Sequence, residues 1–147
     1  MADPTTVFRN EAGLVQGLTD ELTSATIRLR LYTGTALAAA STVANLAANE
    51  LSGNGYPAGG IPLTLDSVAW DATDGRAEAT LTVASLSPTG GDLTWRQAAI
   101  TVNGGTNYIW CVYQCAADET ATNGSSYQFN VKLNEGPQNA TVDIVDN

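Results

Sequence analysis

The sequence contains no histidine. That removes the commonest general base and the commonest metal ligand, and with them the His-dependent serine and cysteine triads. Basic residues are scarce too. Arg9, Arg28, Arg30, Arg76, Arg96 and Lys132 stand singly against 15 acidic residues, for a net charge of −9. A nucleic-acid binder needs clustered Lys and Arg to displace counterions from phosphates, so neither nucleic acid nor an anionic membrane is an expected partner. Charge of either sign is thin, at 14% of residues, where an ordinary soluble domain carries about 25%. Thr, Ser, Asn and Gly take its place, a composition suited to packing against protein surfaces. No apolar run approaches the ~20 residues that span a bilayer. Met1-Ala2-Asp3-Pro4 lacks the basic and apolar regions of a signal peptide, so synthesis in a cytosol is expected.

Cysteine is limited to Cys111 and Cys115. In a strand they lie ~13 Å apart at ~3.3 Å per residue, too far for a disulfide. Both are expected to be reduced and buried. Two thiols without histidine also fall short of a metal site.

At 147 residues the chain fits one domain with a real core. Residues 1–25 carry no sustained period. Leu14, Leu18 and Leu22 have helical spacing, but Gly13 and Gly17 weaken it, so this stretch is expected as an extended arm before a domain spanning 26–147, packed either on its own domain or on a neighbouring subunit. Thr26 to Thr33 alternates cleanly, with Ile27, Leu29 and Leu31 on one face, and predicts a half-buried strand. Residues 35–50 are Ala-rich, with Ser41 or Thr42 able to cap a short helix.

Strand signals then recur at short intervals. Ile61, Leu63 and Leu65 share a phase that slips before Val68 and Trp70, which predicts a bulge near Asp66-Ser67. Asp71-Ala72-Thr73-Asp74-Gly75 reads as a hairpin turn. Ala77 to Val83, Leu93 to Val102 and Tyr127 to Leu133 alternate. Tyr108 to Cys115 is apolar on both faces, as in a central strand. A last strand is expected at 140–145 with Val142 and Ile144 inward. The pattern predicts an all-β fold: one β-sandwich or barrel of about 6–8 antiparallel strands with at most one short helix.

Few residues point to chemistry. Gly53-Asn54-Gly55-Tyr56-Pro57-Ala58-Gly59-Gly60 superficially resembles a phosphate loop, but a strand follows it rather than a helix, and no Lys is near. Asp66, Asp71 and Asp74 match no EF-hand spacing. Paired carboxylates for glycoside hydrolysis are not indicated. No enzyme activity, cofactor or metal is therefore expected. Trp70, Trp95 and Trp110 are expected in the core. The candidate contact residues for a protein partner are Val7, Phe8 and Leu14 in the arm, with Tyr32, Tyr56 and Pro57.

Asn49-Glu50-Leu51-Ser52-Gly53-Asn54-Gly55-Tyr56-Pro57-Ala58-Gly59-Gly60 resembles the N-E-(V/L)-S-G-x-G-Y-x-x-G-G stretch of small structural proteins of tailed bacteriophages. There an apolar strand, an Asp-Ala hairpin and a Trp-bearing strand follow. The counterparts here are Val68 to Trp70, Asp71 to Arg76 and Leu93 to Ile100, so the resemblance spans about residues 45–102. It implies a non-enzymatic virion component on the capsid exterior. The first expectation is a head-decoration (cement) protein bound to the major capsid protein, itself a homodimer or homotrimer. The N-terminal arm and a 116–125 loop, both outside the resemblance, would supply contacts. A tail, neck or fibre component, including a receptor-binding one, is the alternative; a carbohydrate-binding or carbohydrate-active domain is the second.

Overall fold

A computed structural model describes residues 10–38, 41–82, 84–105 and 107–134, together with the backbone of 139–146. It contains one α-helix, α1 (Glu11–Thr23), and nine strands: β1 (Thr26–Tyr32), β2 (Ile61–Leu63), β3 (Leu65–Asp71), β4 (Arg76–Leu81), β5 (Ala84–Leu86), β6 (Leu93–Asn103), β7 (Asn107–Ala121), β8 (Tyr127–Asn134) and β9 (Asn139–Asp146).

The strands form two antiparallel sheets, and the fold is a β-sandwich. The first sheet has the order β2-β1-β6-β7. In the second, β9 pairs with β8 along residues 127–134, so β4 and β5 share the other edge of β8, and β3 flanks β4. Alternation supplies the core between them. Ile27, Leu29, Leu31, Ile100 and Val102 from the first sheet meet Ala77, Ala79, Leu81, Phe129, Val131 and Leu133 from the second. Trp95 on β6 and Phe129 on β8 cross the interface with ring centroids 6.0 Å apart.

The expected bulge is present, as the β3–β4 register shifts between Leu65 and Ser67. The hairpin turn is closed by the Gly75 amide donating to the Asp71 carbonyl at 2.8 Å and by Thr73 N donating to Asp71 Oδ1 at 2.9 Å. Neither required more than local turn chemistry.

Several expectations are corrected. The first concerns the arm, which is not extended: over Glu11–Thr23 it is helix, packed on its own domain as one of the two expectations had it. Asn10 caps it by accepting from Gly13 N at 2.7 Å, and α1 packs on β3 and β4. Leu18 and Leu22 are buried, with Leu14 and Val15 against the same core. Burying two leucines, at about 1.5–3 kcal/mol each, outweighs about 1 kcal/mol for each helical glycine. Val7 and Phe8 lie outside the described residues, as do the side chains of Val142 and Ile144.

Among its described residues the Ala-rich segment forms no α-helix, and only Val43–Asn45 makes a single 3₁₀ turn. This stretch instead lies over the outer face of the first sheet, where Tyr32, Leu37, Leu46 and Ala99 form a second buried cluster with Val43, Ile109 and Val112 against it. That cover explains the two-sided apolar pattern at 108–115. β7 is an edge strand, not a central one; the strand buried on both faces is β6. Residues 116–121 continue β7 rather than forming a loop. Trp95 and Trp110 are core, but Trp70 is only half-buried, at the margin of the β3–β4 hairpin. Cys115 is buried and Cys111 half-buried; both are free thiols. No helix among the described residues is long and apolar enough to cross a membrane.

Candidate functional site

The glycine-rich stretch 49–60 is built on a buried polar node. As β1 ends, Tyr32 forms an isolated antiparallel bridge with Glu50, and Leu51 N donates to the Leu31 carbonyl at 2.9 Å. Glu50 is thereby set beside β1, where its Oε2 lies 3.3 Å from Arg30 Nη1. Its Oε1 accepts from the Tyr56 hydroxyl at 2.9 Å, and that hydroxyl accepts from the Leu31 amide at 3.0 Å. Burial first, then the Glu50 carboxylate, raises the Tyr56 pKa well above that of a free phenol, while the Leu31 amide opposes the rise. Tyr56 therefore stays a neutral donor to Glu50.

The chain between Glu50 and Tyr56 turns over this anchor. A turn closes with Tyr56 N donating to the Gly53 carbonyl at 2.9 Å, and a second with Gly60 N donating to Pro57 O at 3.0 Å. Two glycines are dictated by space as well as by dihedral. A Cβ on Gly55 would stand 2.9 Å from the Ser87 carbonyl oxygen, and one on Gly60 2.9 Å from the Leu29 carbonyl oxygen and 2.8 Å from Arg30 Cγ. Both have positive φ, 85° and 106°.

Three loops are tied together here at one end of the sandwich. Thr89 N donates to the Asn54 carbonyl at 3.0 Å, and Asn54 Nδ2 donates to the Asp92 carbonyl at 3.1 Å. The third loop joins through Gly90 N donating to Asn123 Oδ1 at 3.1 Å, Gly124 N to Pro88 O at 3.0 Å, and Asn123 N to Asp92 Oδ1 at 2.8 Å. Within 52–60, 87–92 and 122–126, Asp92 is the only charged residue. Ser52, Asn54, Thr89 and Asn123 are exposed. The tip is thus a rigid, nearly neutral surface of amides, hydroxyls and peptide groups.

The structure redistributes the candidate contact residues. Tyr32 and Tyr56 are buried, at 1% and 6% exposure; Tyr56 holds the tip from below, and Tyr32 lies in the cluster over the outer face of the first sheet. Pro57 is half-buried on the tip's flank, and Leu14 is half-buried on α1 against the core. Asn54, Asp92 and Asn123, which knit the tip, escaped the sequence reading. Their signal was the Asn-Gly and Gly-Gly-Asp turn chemistry, which marks turns without saying that three meet.

No group of three or more Cys, Asp or Glu is placed to hold a metal among the described residues. Burial pushes the Cys111 thiol up to about 11 and raises Cys115 as well, so neither is an activated nucleophile. An open groove of about 340 Å³ over β3, β4 and β8 is crossed by the Lys132–Glu78 ion pair at 3.2 Å. Trp70, opposite Ala77 in the ladder and half-buried, is among the residues that line this groove. No family model, no curated protein and no solved structure matches the chain.

Proposed function

We propose that this protein is a structural component of a tailed-phage particle, a decoration protein that docks on the outside of the head through its three-loop tip. The major capsid protein is its partner in this reading, and no chemistry is assigned to it. The observation that carries the reading is the near-absence of charge across the tip, where Asp92 is the one acidic or basic residue on a chain of net charge −9.

A surface without ions docks without the desolvation cost of burying them. A tip already held by cross-loop hydrogen bonds loses little conformational entropy on binding. The acidic remainder of the molecule is repelled by packaged DNA, which favours the exterior of a shell. The resemblance of residues 45–102 to small phage structural proteins points the same way.

The test is an image of the phage particle with this chain labelled. Label distributed over the head supports the reading. Label confined to the tail, neck or fibres, or absent from the particle, overturns it.

A further inference from the structure

We infer that Asn103 is a site of spontaneous deamidation, activated by its own turn, and that the three-loop tip withholds the same reaction from Asn54 and Asn123. Three Asn-Gly pairs occur in the chain: Asn54-Gly55, Asn103-Gly104 and Asn123-Gly124. In each, the glycine leaves the backbone nitrogen after the asparagine uncrowded by a Cβ. That nitrogen is the nucleophile. It gives its proton to solvent and adds to the asparagine Cγ; the Cγ–Nδ2 bond breaks, and Nδ2 takes up a proton and leaves as ammonia. Water then opens the five-membered imide at either carbonyl, which yields an aspartyl or an isoaspartyl residue.

At Asn103 both reacting groups are ready. The residue ends β6 and is exposed, as are Gly104 and Gly105. Gly104 N makes no hydrogen bond among the described residues. Asn103 Oδ1 accepts from Gly105 N at 3.2 Å. Negative charge develops on that oxygen when Cγ is attacked, so the Gly105 amide is a donor placed where the transition state needs one. The turn that presents this donor relies on glycine, since φ at Gly105 is 117°.

At the tip the same pairs are tied down. Gly124 N is committed to Pro88 O at 3.0 Å, and Asn123 Oδ1 is held by Gly90 N at 3.1 Å. Asn54 Nδ2 donates to the Asp92 carbonyl at 3.1 Å, while the Asn54 carbonyl accepts from Thr89 N at 3.0 Å. The leaving amide and the peptide plane that carries Gly55 N are thus both fixed. Because β6 runs from Leu93, beside the tip, to Asn103, the reactive pair stands at the opposite end of the sandwich. The new carboxylate is next in the chain to Gly104, which lines a groove of about 300 Å³ with Asp20, Glu21 and Tyr108. Ageing therefore adds charge beside the acidic C-terminal turn of α1, where like charge and the helix carbonyls disfavour it, and leaves the tip neutral. This holds whatever partner the tip takes.

Peptide mapping by mass spectrometry tests this on the full chain, incubated in mildly alkaline buffer both folded and unfolded in guanidinium. In the folded chain Asn103 is expected to lose ammonia at least about tenfold faster than Asn54 or Asn123, because the tip sites must first break hydrogen bonds worth about that factor each. In guanidinium the three rates should converge. Folding should leave Asn103 at least as fast, since the Gly105 donor is in place only in the formed turn. Gly104→Ala puts a methyl in ordinary contact, 3.9 Å from Ala25 Cβ and from the Glu21 carbonyl oxygen, so the fold should be kept. It crowds the nucleophile and should suppress the reaction at Asn103 alone. Equal rates at the three sites in the folded chain, a slowing of Asn103 by folding, or a rate at Asn103 that Gly104→Ala leaves unchanged overturns the inference.

Discussion

Glu50 and Tyr56, six residues apart in the chain, meet beneath the loop that separates them, with the Tyr56 hydroxyl donating to Glu50 Oε1 at 2.9 Å. The same hydroxyl accepts the Leu31 amide, so one side chain joins the glycine-rich turn to the backbone of β1. The exposed part of the tip is held from inside, by a buried tyrosine and a half-buried carboxylate.

Tyr32 and Tyr56 make an informative pair, since both are buried yet differ in what their hydroxyls do. Tyr56→Phe leaves the Leu31 amide and a Glu50 oxygen without this partner and should cost about 1–3 kcal/mol. Tyr32→Phe removes a hydroxyl whose polar neighbour is the Arg30 guanidinium, with no close hydrogen bond to the backbone, and should cost less, about 0.5–1 kcal/mol. Urea unfolding of the two variants at unchanged m-value separates them. Equal losses would mean that the hydrogen bonds at Tyr56 carry no net stability.

Glycine substitutions should split in sign. Gly60→Ala places a methyl 2.9 Å from the Leu29 carbonyl oxygen at φ 106° and should destabilise by about 2 kcal/mol or more. Gly17→Ala, on α1 with open space where the methyl would go, should stabilise by about 0.5–1 kcal/mol. Thermal unfolding reads both. A stabilised Gly60→Ala would contradict the close approach of the loop to β1.

Residues whose environment is set by their neighbours in the chain were legible from the sequence. The alternation of Ile27, Leu29 and Leu31, the phase slip at Asp66-Ser67 and the Asp71 to Gly75 turn all carry their structure in local periodicity or turn chemistry. What failed depended on a distant partner. Gly13 and Gly17 argued against a helix that the burial of Leu18 and Leu22 rescues, and the alanines of 35–50 argued for one that the outer face of the first sheet pre-empts. Residues 108–115 looked like a central strand because a covering loop, packed here on Ile109 and Val112, buries a face as effectively as another layer does. At the tip, the glycine loop stood out in the sequence, but Asn54, Asp92 and Asn123 come together only through the sheet order.

The two cysteines should be inert in the native protein. Both thiols are raised by burial, Cys111 to about 11, so at about pH 8 the thiolate that attacks a disulfide reagent is scarce. Labelling with an aromatic disulfide should be slow in buffer and stoichiometric for two thiols once urea unfolds the chain. Fast labelling of one thiol in the folded protein would show that β7 opens at its edge.

The stability of the protein should fall at alkaline pH earlier than its acidic composition suggests. Tyr32, Tyr56 and Tyr108 all hold their protons more tightly folded than unfolded. Burial is the leading cause in each; the Glu50 carboxylate adds to it at Tyr32 and Tyr56, and the Glu21 carboxylate, which accepts from the Tyr108 hydroxyl, adds to it at Tyr108. For such groups the stabilising contribution is whole below the unfolded value, about 10. It is lost as pH rises toward the folded value, which for Tyr32 is about 12. Above about pH 10 the unfolded chain releases protons that the native state keeps, and each tyrosine involved contributes a slope of up to about 1.4 kcal/mol per pH unit. Urea unfolding from about pH 8 to pH 11 should give a flat free energy that turns down near pH 10. Tyr32→Phe should reduce the downward slope by about one proton. If its slope matched the wild type's, the Tyr32 hydroxyl would ionise as readily folded as unfolded, and its packing with Leu37 and Leu46 would not be shielding it.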